Sequence, residues 1–138
     1  MTLAVLDINV ILSAALARGV PSQTVDEWLA YRFSVAISRQ MIGVVFEKLR
    51  LPRISSRLTV EDVVRVVAPL VMQAEIVDLD DENIQVITGD PEDDYVLATC
   101  IAANADFLVT GDKRLLELKK HGETQIVSPA VFLLHLNS

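Results

Sequence analysis

Three aspartates stand out for the chemistry their surroundings allow. Asp7 closes the apolar run Leu3-Ala4-Val5-Leu6. Asp94 ends the acidic stretch Asp90-Pro91-Glu92-Asp93-Asp94, and Asp112 follows Phe107-Leu108-Val109-Thr110-Gly111. Carboxylates brought to one rim repel each other and raise one another's proton affinity. A divalent cation removes that conflict, and Mg²⁺ or Mn²⁺ favours carboxylate and water oxygens. The expected centre is an acidic metal site in which Asp7, Asp94 and Asp112 are both catalytic groups and metal ligands. Plainer readings stand beside it. Asp7 can cap the next helix, Asp90 and Asp93 can form turns or meet a helix dipole, and Asp112 can be a turn residue. Asn9 and Ser13 lie one helical turn apart and could steady Asp7 by hydrogen bonds, or serve as a cap and a small packing residue. Thr110 offers a hydroxyl to orient a carboxylate or water.

These groups need strands and helices to carry them to one place. Residues 3–7 and 106–110 read as short buried strands, so Asp7 and Asp112 sit at carboxyl ends, where open α/β sheets gather functional groups. Between Asp94 and Asn104 the residues Leu97, Ala98, Ile101 and Ala102 repeat at helical spacing, and Asn104 is a stop. Upstream, Asn9 is the expected cap of a helix over 10–17 and Ser22 of a second. Strand 33–37 follows, then a helix capped by Ser38 that Pro52 ends. Thr59 and Asp62 form a capping box for a further helix that Pro69 should kink or split. A short strand is expected over 75–79. Residues 83–88 permit either a strand or a helical turn. A helix over 113–119 stopped by Gly122, a strand over 124–127 and a helix opened by Pro129 complete the chain. Strands alternating with helices predict one α/β domain over 1–138, with a mainly parallel sheet between two helical layers.

Composition fits that frame. Of 138 residues 51% are hydrophobic but only 5% aromatic, so the core is aliphatic. The single Cys100 allows no internal disulfide, and no Cys/His spacing suggests zinc, which favours a reducing cytoplasm. No uncharged run is long enough to span a bilayer, and the apolar start lacks a basic leader. The net charge of −7 hides a segregated pattern. No Lys or Arg falls between Arg65 and Lys113, while Arg39, Lys48, Arg50, Arg53, Arg57 and Arg65 cluster upstream. A basic edge beside an acidic pocket suits phosphate contact and metal-assisted hydrolysis. His121 and His135 pair with no acid, and no nucleophile elbow, phosphate loop or dinucleotide fingerprint is present. An aspartyl-phosphate mechanism at Asp7 is the weaker choice, because Asp7-Ile8-Asn9 lacks a second acid. The apolar run Val66, Val67, Leu70 and Val71, with Trp28, is core or else a surface for a second copy or a protein partner.

In this order, Asp7-Ile8-Asn9-Val10-Ile11-Leu12-Ser13, then Asp90 to Asp94 with Leu97-Ala98, then Ala105 to Lys113, then Ile126 to Leu133, the chain resembles the PIN-domain nucleases. Among these it resembles the VapC-like bacterial toxins of toxin–antitoxin pairs. The resemblance implies a PIN-like three-layer fold and a Mg²⁺- or Mn²⁺-dependent endoribonuclease. It also implies an RNA substrate, a small antitoxin protein as inhibitor, and a homodimer or higher oligomer. Arg39, Lys48, Arg50, Arg53, Arg57, Lys113 and Arg114 are the expected RNA contacts. The chain also departs from the pattern. Where relatives carry a Glu after the second strand it has Val44, with Glu47 one turn on as a possible fourth acid or a solvated partner of Lys48 or Arg50. Where a further acid often follows Asp112 it has Arg114, and in place of a Thr it has Ile8. The alternative function is thus a catalytically weakened module that binds RNA or an antitoxin without cutting.

Overall fold

In the computed structural model, six strands form one sheet in the order β3-β2-β1-β4-β6-β5. The backbone is described throughout residues 1–138, and every side chain except that of Asn83. β1 (Leu3–Leu6), β2 (Ser34–Ser38), β3 (Glu75–Val77), β4 (Phe107–Val109) and β6 (Thr124–Val127) run parallel, while β5 (Lys120–His121) pairs antiparallel with β6. β1 and β4 carry unbroken apolar residues because both faces are covered. The helices are α1 (Ile8–Leu16), α2 (Val20–Leu29), α3 (Arg39–Leu49), α4 (Pro52–Ser55), α5 (Val60–Asp62), α6 (Ala68–Met72), α7 (Pro91–Ala103), α8 (Lys113–Leu118) and α9 (Pro129–Leu136). The expected α/β architecture with a mainly parallel sheet between helices is what forms.

The sheet order decides where a site can lie. From β1 the chain moves outward through β2 to β3, then returns to place β4 on the other side of β1. The strand order therefore reverses between β1 and β4, the point at whose carboxyl ends open α/β sheets form their ligand crevice. Asp7 and Thr110 directly follow these two strands. Their register is fixed by the pairings of Val5 with Leu108 and Leu6 with Val109.

Several local expectations shift. Asp7, not Asn9, caps α1: its Oδ1 accepts from the N–H of Ile8 at 2.7 Å. The helix therefore starts two residues sooner than expected, and Asn9 and Ser13 turn outward to solvent. Ser22 lies inside α2 rather than capping it, because Pro21 fits the first turn after Gly19. Ser22 is buried and accepts a hydrogen bond from Arg65, which also donates to the carbonyl of Ala14. The Thr59/Asp62 capping box forms. Ahead of Pro69 the chain neither breaks nor separates, because a π turn over Val63–Val67 joins α5 to α6. Proline supplies no N–H to the preceding turn, and the wider turn accommodates its ring. Residues 81–83 make one 3-10 turn, and 84–88 adopt neither strand nor helix. The strand expected over 124–127 forms as β6, and Gly122, expected as a stop, turns the chain between it and the unexpected short β5. Gly122 takes φ +57°, and a Cβ there would meet Ile101 Cδ1 at 2.8 Å.

Candidate functional site

Two acids at the crevice are held by the strand ends themselves. Asp7 is 4% exposed. Its Oδ2 accepts from Thr110 Oγ1 at 2.7 Å, and Thr110 Oγ1 in turn accepts from the N–H of Asp112 at 3.0 Å. A short hydrogen-bonded chain thus runs from the backbone of Asp112 through Thr110 to Asp7 and joins the ends of β1 and β4. Asp112 caps α8 by accepting from the N–H of Arg114 at 2.8 Å. Burial raises the proton affinity of Asp7. The hydrogen bonds from Thr110 and Ile8 pull it back down, while nearby Asp112 and Glu92 raise it again.

The acid of α7 that lies beside them is Asp93, sharing one Arg114 nitrogen with Asp112, where the sequence points to Asp94. Asp93 is 7% exposed. Its carboxyl is pushed up to about 6, first by burial and then by Asp112, Asp90 and Asp7. Those neighbours place Asp93 in the same electrostatic field as the two strand-end acids. Asp94 points elsewhere. Its Oδ1 accepts from the N–H groups of Ile87 and Thr88, both at 3.0 Å, and from Thr88 Oγ1 at 3.3 Å. It pins the loop entering α7 and lines a separate cavity of about 420 Å³ that also contains Leu97, Ala98, Ile101 and His121. The sequence did hold the distinguishing signal. Val96, Leu97 and Cys100 lie three, four and seven residues after Asp93, and all three are buried. The stripe first chosen runs through Ile101 and Ala102, which are exposed.

Other expected site residues divide in the same way. Thr110 hydrogen-bonds Asp7, whereas Asn9 and Ser13 do not. They line a basic cavity of about 280 Å³ together with Lys48, Arg53 and Arg57. Lys48 also pairs with Glu92 at 3.0 Å, which links this cavity to the acidic rim. Glu92 is an acid that sequence reading did not weigh. Glu47 is exposed, and it is not among the acids that raise the proton affinity of Asp7 or Asp93. Val44 packs against the core. Arg39 pairs with Asp78 at 3.8 Å, away from the basic cavity. Arg50 and Lys113 are exposed and line neither it nor the cavity beside Asp94. Arg114 turns inward onto the acids: its Nη2 lies 3.2 Å from Asp93 Oδ2, 3.4 Å from Asp90 Oδ2 and 3.7 Å from Asp112 Oδ2.

The donor set suits a hard divalent cation, since Asp7, Asp93 and Asp112 offer only carboxylate oxygens. The arrangement does not yet suit one. Among the described residues, no three acids stand ready to hold a metal ion, and a guanidinium nitrogen lies between three carboxylates.

Away from this rim, Val66, Val67, Leu70 and Trp28 are core, as plain packing predicts. Along the segment from α5 to α6, Val60, Val63, Val64, Val71 and Met72 leave an exposed apolar ledge, with Val60 and Met72 each 81% exposed. No helix is long and apolar enough to cross a membrane among the described residues.

Comparison with known proteins agrees with this architecture. The sequence profile described as "PIN domain" matches residues 4–114. A search of curated proteins gives no match. Among solved structures, the crystal structure of VapBC2 from Rickettsia felis bound to a DNA fragment from their promoter aligns with a TM-score of 0.55. The identity is 18%, over 91% of this chain and 97% of that chain. At that identity the likeness concerns the fold.

Proposed function

Because the chain belongs to the PIN domain family, we propose that it is a divalent-cation-dependent endoribonuclease, the toxin of a toxin–antitoxin pair acting in the cytoplasm. PIN domains are generally nucleases and typically use divalent metals. The observation that carries the reading is the gathering of Asp7, Asp93 and Asp112 where the strand order reverses: Thr110 bonds both Asp7 and the N–H of Asp112, and one Arg114 nitrogen reaches both Asp93 and Asp112. Acids held this close in a partly desolvated crevice are costly unless they serve a cation or a proton. The divalent ion, Mg²⁺ or Mn²⁺, would supply charge neutralisation on the phosphoryl oxygens and a more acidic water.

The chain's own residues do the rest. Thr110 and the N–H of Ile8 aim the Asp7 carboxylate, so that it meets ligand or water without first reorganising. Asp93 on α7 and Asp112 at the start of α8 bring the other carboxylates from separate elements. Arg53 and Arg57 in the adjoining basic cavity offer guanidinium forks for the RNA backbone, and Lys48 adds a point charge. A phosphodiester laid across the Lys48–Glu92 boundary would touch both regions. The apolar ledge of Val60, Val64 and Met72 supports assembly with an antitoxin protein or a second copy, since exposed apolar patches mark interaction surfaces. The VapBC2 neighbour, a toxin–antitoxin complex by name, supports such a partner.

A second reading is favoured by one feature, the Arg114 guanidinium among the acids. On that reading the chain is a weakened module that binds RNA or antitoxin without cutting. Single-stranded RNA incubated with Mn²⁺ separates the two. Wild type should cut at least 100-fold faster than Asp7→Asn and Asp93→Asn. Equal cleavage by all three would defeat the nuclease reading, and binding without cleavage would favour the module.

A further inference from the structure

Arg114 is tied down at both ends. Its backbone N–H donates to Asp112 Oδ1 at 2.8 Å, and its Nη2 folds back to within 3.7 Å of Asp112 Oδ2. The same nitrogen reaches Asp93 on α7 at 3.2 Å and Asp90, the cap of α7, at 3.4 Å. One positive group therefore bridges α7 and α8 across the crevice. The oxygens it engages on Asp93 and Asp112 belong to the acids assigned above to the divalent ion. A guanidinium held beside those oxygens opposes the approach of Mg²⁺, which binds carboxylate oxygens at about 2.1 Å, because two cations would then share a few ångströms. Yet the arginine is loosely covered: it is 58% exposed along its side chain, so its guanidinium already borders solvent.

We propose that Arg114 is an internal counter-ion that closes the acidic centre, so that a divalent cation binds only after its guanidinium swings out to solvent. The inference rests on the acidic rim being the functional centre, as proposed above. It explains why three mutually repelling carboxylates can stand together while no three of the described acids are set for a metal ion. One charge on a flexible arm offsets part of the repulsion, and a divalent ion would offset more. Metal affinity is then the difference between the two, and this chain regulates it with its own side chain.

The test is Mn²⁺ binding, read from the loss of free-ion signal by electron paramagnetic resonance, in wild type, Arg114→Ala and Lys113→Ala. Lys113→Ala removes a neighbouring positive charge that touches none of the three carboxylates. Arg114→Ala should bind Mn²⁺ at least tenfold tighter than wild type, and Lys113→Ala less than threefold tighter. Adding Asp93→Asn to Arg114→Ala should abolish the gain. Equal affinity in wild type and Arg114→Ala overturns the proposal, as does an equal gain from Lys113→Ala or the absence of Mn²⁺ binding in all of them. A measurement on wild type alone guards against a variant that folds poorly. The guanidinium ¹⁵N resonance of Arg114 should move to its free-solvent position as Mg²⁺ saturates the protein, and a resonance that stays fixed at saturation overturns the proposal. Failure of the nuclease reading looks different: Arg114→Ala would gain Mn²⁺ affinity while RNA remained whole.

Discussion

Thr110→Val isolates the hydrogen-bonded chain that joins β1 to β4. Valine nearly keeps the shape of threonine, so packing around this fully buried position is preserved and the hydroxyl alone is lost. Two interactions go with it: the bond donated to Asp7 Oδ2 at 2.7 Å and the acceptor for the N–H of Asp112 at 3.0 Å. A bond to a charged group contributes about 1.5–3 kcal/mol and a neutral one about 1 kcal/mol, so the loss should be about 3 kcal/mol near pH 8. In a chain of this size that lowers Tm by about 10 °C. The sign of the pH dependence follows from Asp7. Its proton affinity is already raised in the folded state, so ionisation of Asp7 opposes folding. Thr110 favours the ionised form, so its removal raises that affinity further. The cost of Thr110→Val should therefore be largest near pH 8, where Asp7 is ionised, and should shrink toward pH 4 as protonation of Asp7 leaves neutral hydrogen bonds in place of charged ones. Urea denaturation at both pH values measures this, with Thr110→Ser as the variant that restores the hydroxyl. A loss under about 1 kcal/mol at pH 8, or the same loss at both pH values, would show that the Asp7–Thr110 bond does not orient the site as argued.

Four further outcomes follow from the geometry. Asp94→Asn should cost about 2 kcal/mol by weakening the bonds that pin Ile87 and Thr88. The folded fraction should still cut RNA, whereas Asp93→Asn should stop cleavage with the fold intact. Asp93 ionisation opposes folding because its carboxyl is pushed up to about 6. Asp93→Asn should therefore gain stability over wild type as pH rises from about 4 through 6, and the two should converge in acid, a comparison thermal melts across pH will make. Gly122→Ala should destabilise by about 1–2 kcal/mol, since its φ of +57° disfavours a Cβ that would also crowd Ile101; an unchanged Tm would contradict the hairpin geometry. If Arg53 and Arg57 each contact a phosphate, replacing both by alanine should flatten the slope of log affinity for single-stranded RNA against log salt by about 1.4.

How much of this was legible in the sequence differs from one feature to the next. Strand identity and order of elements could be read because β1 and β4 are uniformly apolar and punctuated by Asp, Gly and Asn, and those local signals agree with the tertiary outcome. The positions of Asp7 and Asp112 could be read for the same reason: a strand end fixes a side chain's location to within a residue. The choice between Asp93 and Asp94 turns instead on rotation about a helix axis. One residue is about 100° on a helix, enough to move a carboxylate from the crevice to the cavity beside His121. The apolar stripe resolves such a choice only when its buried members are identified correctly. The many alanines of α7 blurred it, because Ala98 and Ala102 read as apolar whether they face core or solvent. Asn9 failed through the same rotation, once Asp7 took the cap and advanced α1.

Arg114 could not have been placed by pattern at all. On the sequence it breaks an acidic motif and reads as damage to a metal site, or as one more cation for RNA. Its direction is set by a local and a distant cause together. The cap at Asp112 starts α8 at the crevice edge, and the uncompensated field of Asp90, Asp93 and Asp112 draws the guanidinium back across it. A substitution that removes a carboxylate and supplies a cation changes the local charge by two. That is the charge a divalent ion brings, which is why the acids can converge here around one flexible side chain.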